Sequence, residues 1–239
     1  MNYSEIRKYQ NRDSEMLIDK YGYLISPLIT KRLLKTKLRP NHVTLLMIIS
    51  GLIGGVAFCF NNFYLKIVGL IFIHLWYVFD CCDGEVARIK KIYSKFGMEM
   101  DFTAHIINHP LYAFAFFLSM YQLNKYNVFL LITIFVLLIV FDLIFRNLLC
   151  FYKVYEQRMA SDSGNGESNS NLSLKQIIIN ISNNIFLFPS FALAFPILYV
   201  VDYGFGYSIS IYYSIFVLLV AVLIVSLRML GWIRKIINI

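Results

Sequence analysis

Between residues 80 and 105 the chain reads DCCDGEVARIKKIYSKFGMEMDFTAH. On one helix Asp80, Asp83, Gly84, Ala87 and Arg88 fall at i, i+3, i+4, i+7 and i+8, which is a single stripe. Gly97, Asp101 and His105 fall at i, i+4 and i+8 and form a second stripe on the next helix. With a short connection between them, the two helices are expected to be antiparallel neighbours with their stripes facing. Three carboxylates and an imidazole would then converge. Hard and borderline ligands of that kind suit Mg²⁺ or Mn²⁺ rather than a thiolate metal, and such ions commonly engage substrate phosphates. Asp80, Asp83, Asp101 and His105 are the candidate ligands. Arg88 offers a permanently charged fork for a phosphate, and the small Gly84, Ala87 and Gly97 leave room for a ligand beside it. The plainer alternative pairs the carboxylates with Arg88, Lys90, Lys91 and Lys95 as interface ion pairs.

The elements that must carry these groups are apolar. Of 239 residues 59% are hydrophobic and only 15% charged, and the mean hydropathy is +0.64, where a soluble domain would carry about 25% charged residues. Stretches long enough to span a bilayer lie near 43–61, 64–83, 103–123, 127–149, 185–202 and 208–229. The fifth is marginal in length and contains Pro189 and Pro196. The expected fold is therefore an all-α integral membrane protein of six transmembrane helices. With the N-terminus inside, 20 of the 22 Lys and Arg residues fall on inner segments, leaving Lys66 and Lys125 outside. Both termini and the acidic cluster are thus expected to be cytoplasmic, at the inner or plasma membrane in a bacterium. The formal net charge of +8 is a topology signal, which argues against a nucleic-acid partner.

The polar start and the late first apolar run do not read as a secretory signal. Residues 1–39 are expected to form a polar N-terminus and a basic amphipathic helix lying in the interface, with Pro27 in the first turn of a helix beginning there. Pro40 ends that unit, and Asn41 or Thr44 is expected to cap the first span. Residues 40–239 form one membrane domain with a polar loop at about 154–184. The cysteines show no ligand spacing, and Cys81 and Cys82 read as packing residues. His105 and His109 have the i, i+4 spacing of a helical metal pair, although a packing or pocket role suits His109 better. Asp142 and Arg146, also four apart, are expected to pair.

The stretch resembles the signature of the CDP-alcohol phosphotransferase (phosphatidyltransferase) family, Asp-x2-Asp-Gly-x2-Ala-Arg-x8-Gly-x3-Asp-x3-Asp. It matches at Asp80, Asp83, Gly84, Ala87, Arg88, Gly97 and Asp101. The upstream RPNHVTLL is similar to the segment before that family's first span, which brings Asn41 and Thr44 to the CDP side. The resemblance implies transfer of a phospho-alcohol from a CDP-linked donor to a hydroxyl acceptor, with release of CMP and a need for divalent metal. Asp80, Asp83 and Asp101 then match metal ligands, and Gly84, Ala87, Arg88 and Gly97 the CDP-binding side. The expected partners are CDP-diacylglycerol or a small CDP-alcohol, a hydroxyl acceptor (a small polar alcohol, a lipid or a lipid-linked glycan) and the bilayer. Family members are often dimers, so a homodimer is implied as well.

This chain departs from the pattern at its end. The family's fourth aspartate, usually assigned as the base on the acceptor hydroxyl, is His105 here. An imidazole, with an unperturbed pKa of about 6.5, is competent as a general base. Two alternatives stand: His105 is the catalytic base, also able to ligate metal, or the chain is a weakened member acting as a scaffold. A small six-span transporter is the remaining rival, but its ionisable groups would sit near the bilayer midplane rather than at one edge.

Overall fold

The computed structural model describes residues 1–10, 17–162 and 188–237, and everything assigned there is helix or short connection. A four-residue helix α1 (Tyr3–Ile6) and a 3₁₀ turn (Arg7–Tyr9) precede α2 (Leu17–Leu33). Six long helices follow: α3 (Pro40–Cys59), α4 (Phe63–Lys90), α5 (Gly97–Gln122), α6 (Val128–Asp162), α7 (Phe188–Phe205) and α8 (Ile209–Ile237). Much of the polar loop expected at 154–184 lies outside the described residues; α6 continues past its start to Asp162.

Five of these helices are long and apolar enough to cross a bilayer: α3, α4, α6 over Val128–Leu148, α7, and α8 over Ile209–Arg234. With 26 residues α5 has the length, but Asp101, His105, Asn108, His109 and Pro110 lower its apolarity. Both prolines of α7 are accommodated, with Pro189 in the first turn, where a missing N–H is harmless.

Local signals explain the ends that frame the polar cluster. Asn62 caps α4 by accepting from the Leu65 N–H at 3.2 Å, and Lys91 closes the helix in the left-handed conformation, φ 54°. The start of α3 differs from expectation. Neither Asn41 nor Thr44 caps it; Arg39 is the N-cap residue, and its N–H donates to His42 Nδ1 at 3.0 Å. With Pro40 already the first helical residue, Asn41 and Thr44 lie inside the turn they were expected to precede.

A second correction concerns Pro27, which lies inside α2 rather than at its start. A proline there removes the N–H that would pair with the carbonyl four residues earlier. That carbonyl, on Tyr23, instead accepts from Gln10 Nε2 at 2.8 Å, and the next, on Leu24, accepts from the Tyr3 hydroxyl at 2.9 Å. The N-terminal segment thus supplies a donor the proline withdraws. On α2, Ile25, Ile29 and Leu33 pack against Val78, Cys82 and Val86 of α4, while Leu24 and Leu28 stay more than half exposed.

The third correction is architectural. The helices α4 and α5 are not closely packed neighbours: α3 lies close against both, and the α4 and α5 backbones scarcely approach one another. Glycines on α3 explain its reach. A Cβ on Gly54 would sit 2.8 Å from the Ile73 backbone N, and one on Gly51 would sit 2.5 Å from the Asn108 side chain. Across the α4–α5 gap the contact is made by bulk, with Trp76 and Tyr112 fully buried and their rings 5.3 Å apart, edge to face. A wedge of small residues and two large aromatic spacers therefore set the width of the cleft.

Candidate active site

At one end of that cleft Asp80, Asp101 and His105 converge. One ligand atom from each lies within 4.8 Å of the other two. His105 Nε2 is 3.5 Å from Asp101 Oδ1 and 4.0 Å from Asp80 Oδ1. Asp80 comes from the second half of α4 and the other two from the first turns of α5, so the side chains meet where the backbones do not. Asp101 Oδ1 is buried and is among the described atoms without a hydrogen-bond partner. Buried polar atoms normally have one. An orphaned carboxylate oxygen beside a second carboxylate and an imidazole fits a divalent cation bound through oxygen and nitrogen.

Asp83, one turn further along α4, stands outside the trio. Its Oδ2 accepts from Thr44 Oγ1 at 2.8 Å, tying α4 to the start of α3. Asn41 is near the same edge, with Nδ2 donating to Ser94 Oγ at 3.1 Å in the α4–α5 connection. Gly84 lies beneath the Arg88 guanidinium, whose nitrogens are 3.2 Å from where a Cβ would be. Ala87 and Gly97 are half-buried, and a Cβ on Gly97 would meet only Ser94 Cβ, at 3.6 Å. Arg88 Nε donates to the Tyr9 carbonyl, so the N-terminal segment covers the expected phosphate-binding side chain. The interface ion-pair alternative fares poorly at Lys90, whose Nζ holds the Thr36 and Leu38 carbonyls at 3.1 and 2.7 Å.

Two features escaped the sequence reading. Glu85, between the motif residues Gly84 and Ala87, is completely buried. Its carboxylate accepts from Gln10 Nε2 at 2.8 Å and from the hydroxyls of Ser26 and Thr30 at 2.5 Å each. The buried Ser26 and Thr30, four apart on α2, were the available signal. Behind His105, the pairing of Asp142 and Arg146 is observed, Nε to Oδ2 at 3.1 Å, but it extends to His109, whose Nδ1 is 2.9 Å from the same oxygen. His109 is not part of the acidic trio; it lies 3.2 Å from His105 on that residue's far side.

No curated protein matches the chain. The acidic cluster, its half-buried glycines and the six long helices all fall within residues 37–237, a span that matches the family described as CDP-alcohol phosphatidyltransferase, and the chain belongs to that family.

Proposed function

We propose that the chain is a metal-dependent transferase in which Asp80, Asp101 and His105 form the reacting centre and His105 is the general base. Membership makes it a multi-pass membrane protein of a family that moves a phospho-alcohol from a CDP-alcohol to a hydroxyl acceptor and uses divalent metal ions. The observation that carries the finer reading is the convergence of two carboxylates and the His105 imidazole within 4.8 Å, one carboxylate oxygen being buried without a hydrogen bond. Asp80 and Asp101 would hold Mg²⁺ or Mn²⁺, which leaves His105 Nε2 free to act as the base, and Asp83 would support the site through Thr44. A divalent ion held by these residues would supply positive charge against the diphosphate.

The acceptor oxygen forms a bond to the phosphorus bearing the donor's alcohol. The P–O bond to CMP breaks, and the acceptor's proton passes to His105 Nε2. Positioning and charge neutralisation supply most of the rate in such a step. Asn41, Thr44, Gly84, Ala87, Arg88 and Gly97 would line the CDP side, Arg88 exchanging the Tyr9 carbonyl for a phosphate oxygen. We place residues 1–39 as a peripheral unit on the cytoplasmic face and α5 as the sixth crossing, because 20 of 22 basic residues then lie inside. The donor is CDP-diacylglycerol or a small CDP-alcohol, and the product a phospholipid or lipid-linked glycan.

The test is CMP release by purified protein in detergent with Mg²⁺ or Mn²⁺, scanned over CDP-diacylglycerol and small CDP-alcohols. Release from one donor, abolished by chelator and restored by metal, is expected. No CMP from any donor with metal present overturns the catalytic reading in favour of a scaffold. His105→Ala is expected to lower turnover by about 10²–10⁴-fold, with partial recovery in His105→Asp. Full turnover in the alanine variant removes the base role.

A further inference from the structure

Resting on that base reading, we infer that Asp142 and His109 are positioning residues that fix which nitrogen of His105 carries its proton, presenting the Nε2 lone pair to the reacting centre. The chain of contacts runs from α6 through α5. Asp142 Oδ2 lies 2.9 Å from His109 Nδ1, and His109 Nε2 lies 3.2 Å from His105 Nδ1. His105 Nε2 then faces Asp101 and Asp80 at 3.5 and 4.0 Å. Asp142 and His109 are nearly fully buried, with side chains 7% and 2% exposed, so each polar contact must be satisfied within the protein.

The direction of the hydrogen bonds follows from which groups donate. A carboxylate oxygen only accepts. The 2.9 Å contact therefore requires the His109 proton on Nδ1, and in the neutral ring Nε2 is left as an acceptor. Facing that acceptor, His105 Nδ1 must carry the proton and donate. Neutral His105 then has its lone pair on Nε2, the nitrogen on the side of the reacting centre, where the acceptor's proton would arrive. Each link leaves one choice for the next.

Arg146 does not upset this order. One of its terminal nitrogens is 2.9 Å from His109 Nδ1 and 3.3 Å from Nε2. The lone-pair directions of the two ring nitrogens diverge, so a donor that close to both lies over the ring rather than in its plane. The in-plane bond from Arg146 goes to Asp142, Nε to Oδ2 at 3.1 Å, and holds that carboxylate in place. Packing fixes the rings: Phe188 stacks on His109 at 4.2 Å, and Trp76 meets His105 and His109 edge to face at 5.5 and 5.6 Å. Partners of this type behind a metal-ligating imidazole typically matter by about 10–100-fold, and we take the same magnitude for the base.

The experiment reads the tautomer directly, by ¹⁵N NMR of histidine-labelled full-length protein in micelles, with the His105 signals assigned from His105→Ala. The expected result is a protonated Nδ1 and an unprotonated Nε2 on neutral His105. His109→Phe and Asp142→Leu should lose that preference and lower kcat by about 10–100-fold at unchanged donor KM. The conservative variants are expected to rescue both readouts. His109→Gln retains an acceptor for His105 and a donor for Asp142, and Asp142→Asn retains an oxygen for His109 and Arg146. A His105 protonated on Nε2 in the parent protein overturns the inference even if the apolar variants fail to fold. So does an unchanged tautomer and kcat in folded Asp142→Leu. Full turnover in His105→Ala would instead sink the base reading, whichever tautomer the parent shows, so the two failures are told apart.

Discussion

Glu85→Ala should be among the most damaging single changes outside the reacting centre, although Glu85 touches none of its groups. The carboxylate is the one acceptor shared by Gln10, Ser26 and Thr30, at 2.8, 2.5 and 2.5 Å, and it is fully buried. A buried donor left without its acceptor costs about 1–3 kcal/mol, and such costs do not add fully when the donors share one acceptor. Truncation leaves three buried donors, all on neutral side chains, without that acceptor. We expect about 4 kcal/mol for Glu85→Ala by that reasoning. Glutamine keeps the shape and one acceptor, and either hydroxyl can turn to accept from its new NH₂, so Glu85→Gln should cost only about 1–2 kcal/mol. Denaturant unfolding in mixed micelles gives the ranking, and limited proteolysis reports whether the N-terminal segment has come loose. Loss of Glu85 frees Gln10, whose Nε2 also holds the Tyr23 carbonyl that Pro27 leaves open, so cleavage near the N-terminus should accelerate before the bundle unfolds. A Glu85→Ala protein within about 0.5 kcal/mol of the parent, the range of an ordinary surface change, would refute the claim that this carboxylate fastens α2 to α4.

Two further predictions follow from the packing. Gly54→Ala puts a methyl 2.8 Å from the Ile73 backbone N and 2.9 Å from its side chain, forcing α3 off α4; about 1–3 kcal/mol should be lost, together with CMP release, because the same shift moves Thr44 from Asp83. An unaltered unfolding midpoint would count against the wedge role of α3. Asp202→Ala removes the buried carboxylate that accepts from the Ile209 and Ser210 N–H groups, each at 2.8 Å, and from the Ser210 hydroxyl at 2.5 Å; about 2 kcal/mol should go with that cap, with the donor KM unchanged. A kinetic change without a stability change would contradict its placement at the opposite end of the bundle.

The helices were legible in the sequence because apolar length and period carry them: all six expected stretches correspond to long helices, their bounds shifted by between one residue and, at the end of α6, 13. Positions along one helix were partly legible for the same reason: Asp142 paired with Arg146, whereas Asp83, on the stripe of Asp80, bonds Thr44 rather than joining the trio. What the sequence did not convey was relative placement. The motif on α4 and α5 suggested two neighbours, yet the pair that packs is set by which helix carries small residues, and Gly51, Gly54 and Gly55 are all on α3. Nothing in the spacing marked Asp142 as the partner of His109, because that contact depends on how α6 is rotated against α5. Pro27 misled for a local reason: a proline reads as a helix start unless a distant donor, here Gln10, replaces the bond it removes.

The histidine at 105 gains meaning from what lies behind it. A carboxylate at that position would need cations or donors only on the side facing the reacting centre. An imidazole brings a second nitrogen, and that nitrogen points back into the bundle, where an unpartnered polar atom is costly. A histidine here with nothing behind it would leave Nδ1 without a partner. Instead His109 meets it at 3.2 Å, Asp142 meets His109 at 2.9 Å, and Arg146 holds Asp142 at 3.1 Å. His105, His109, Asp142 and Arg146, on two helices, thus form one series, each needing the next for its own satisfaction. An imidazole that served only as packing would not require a directional series ending in a fixed carboxylate, whereas the base we propose would.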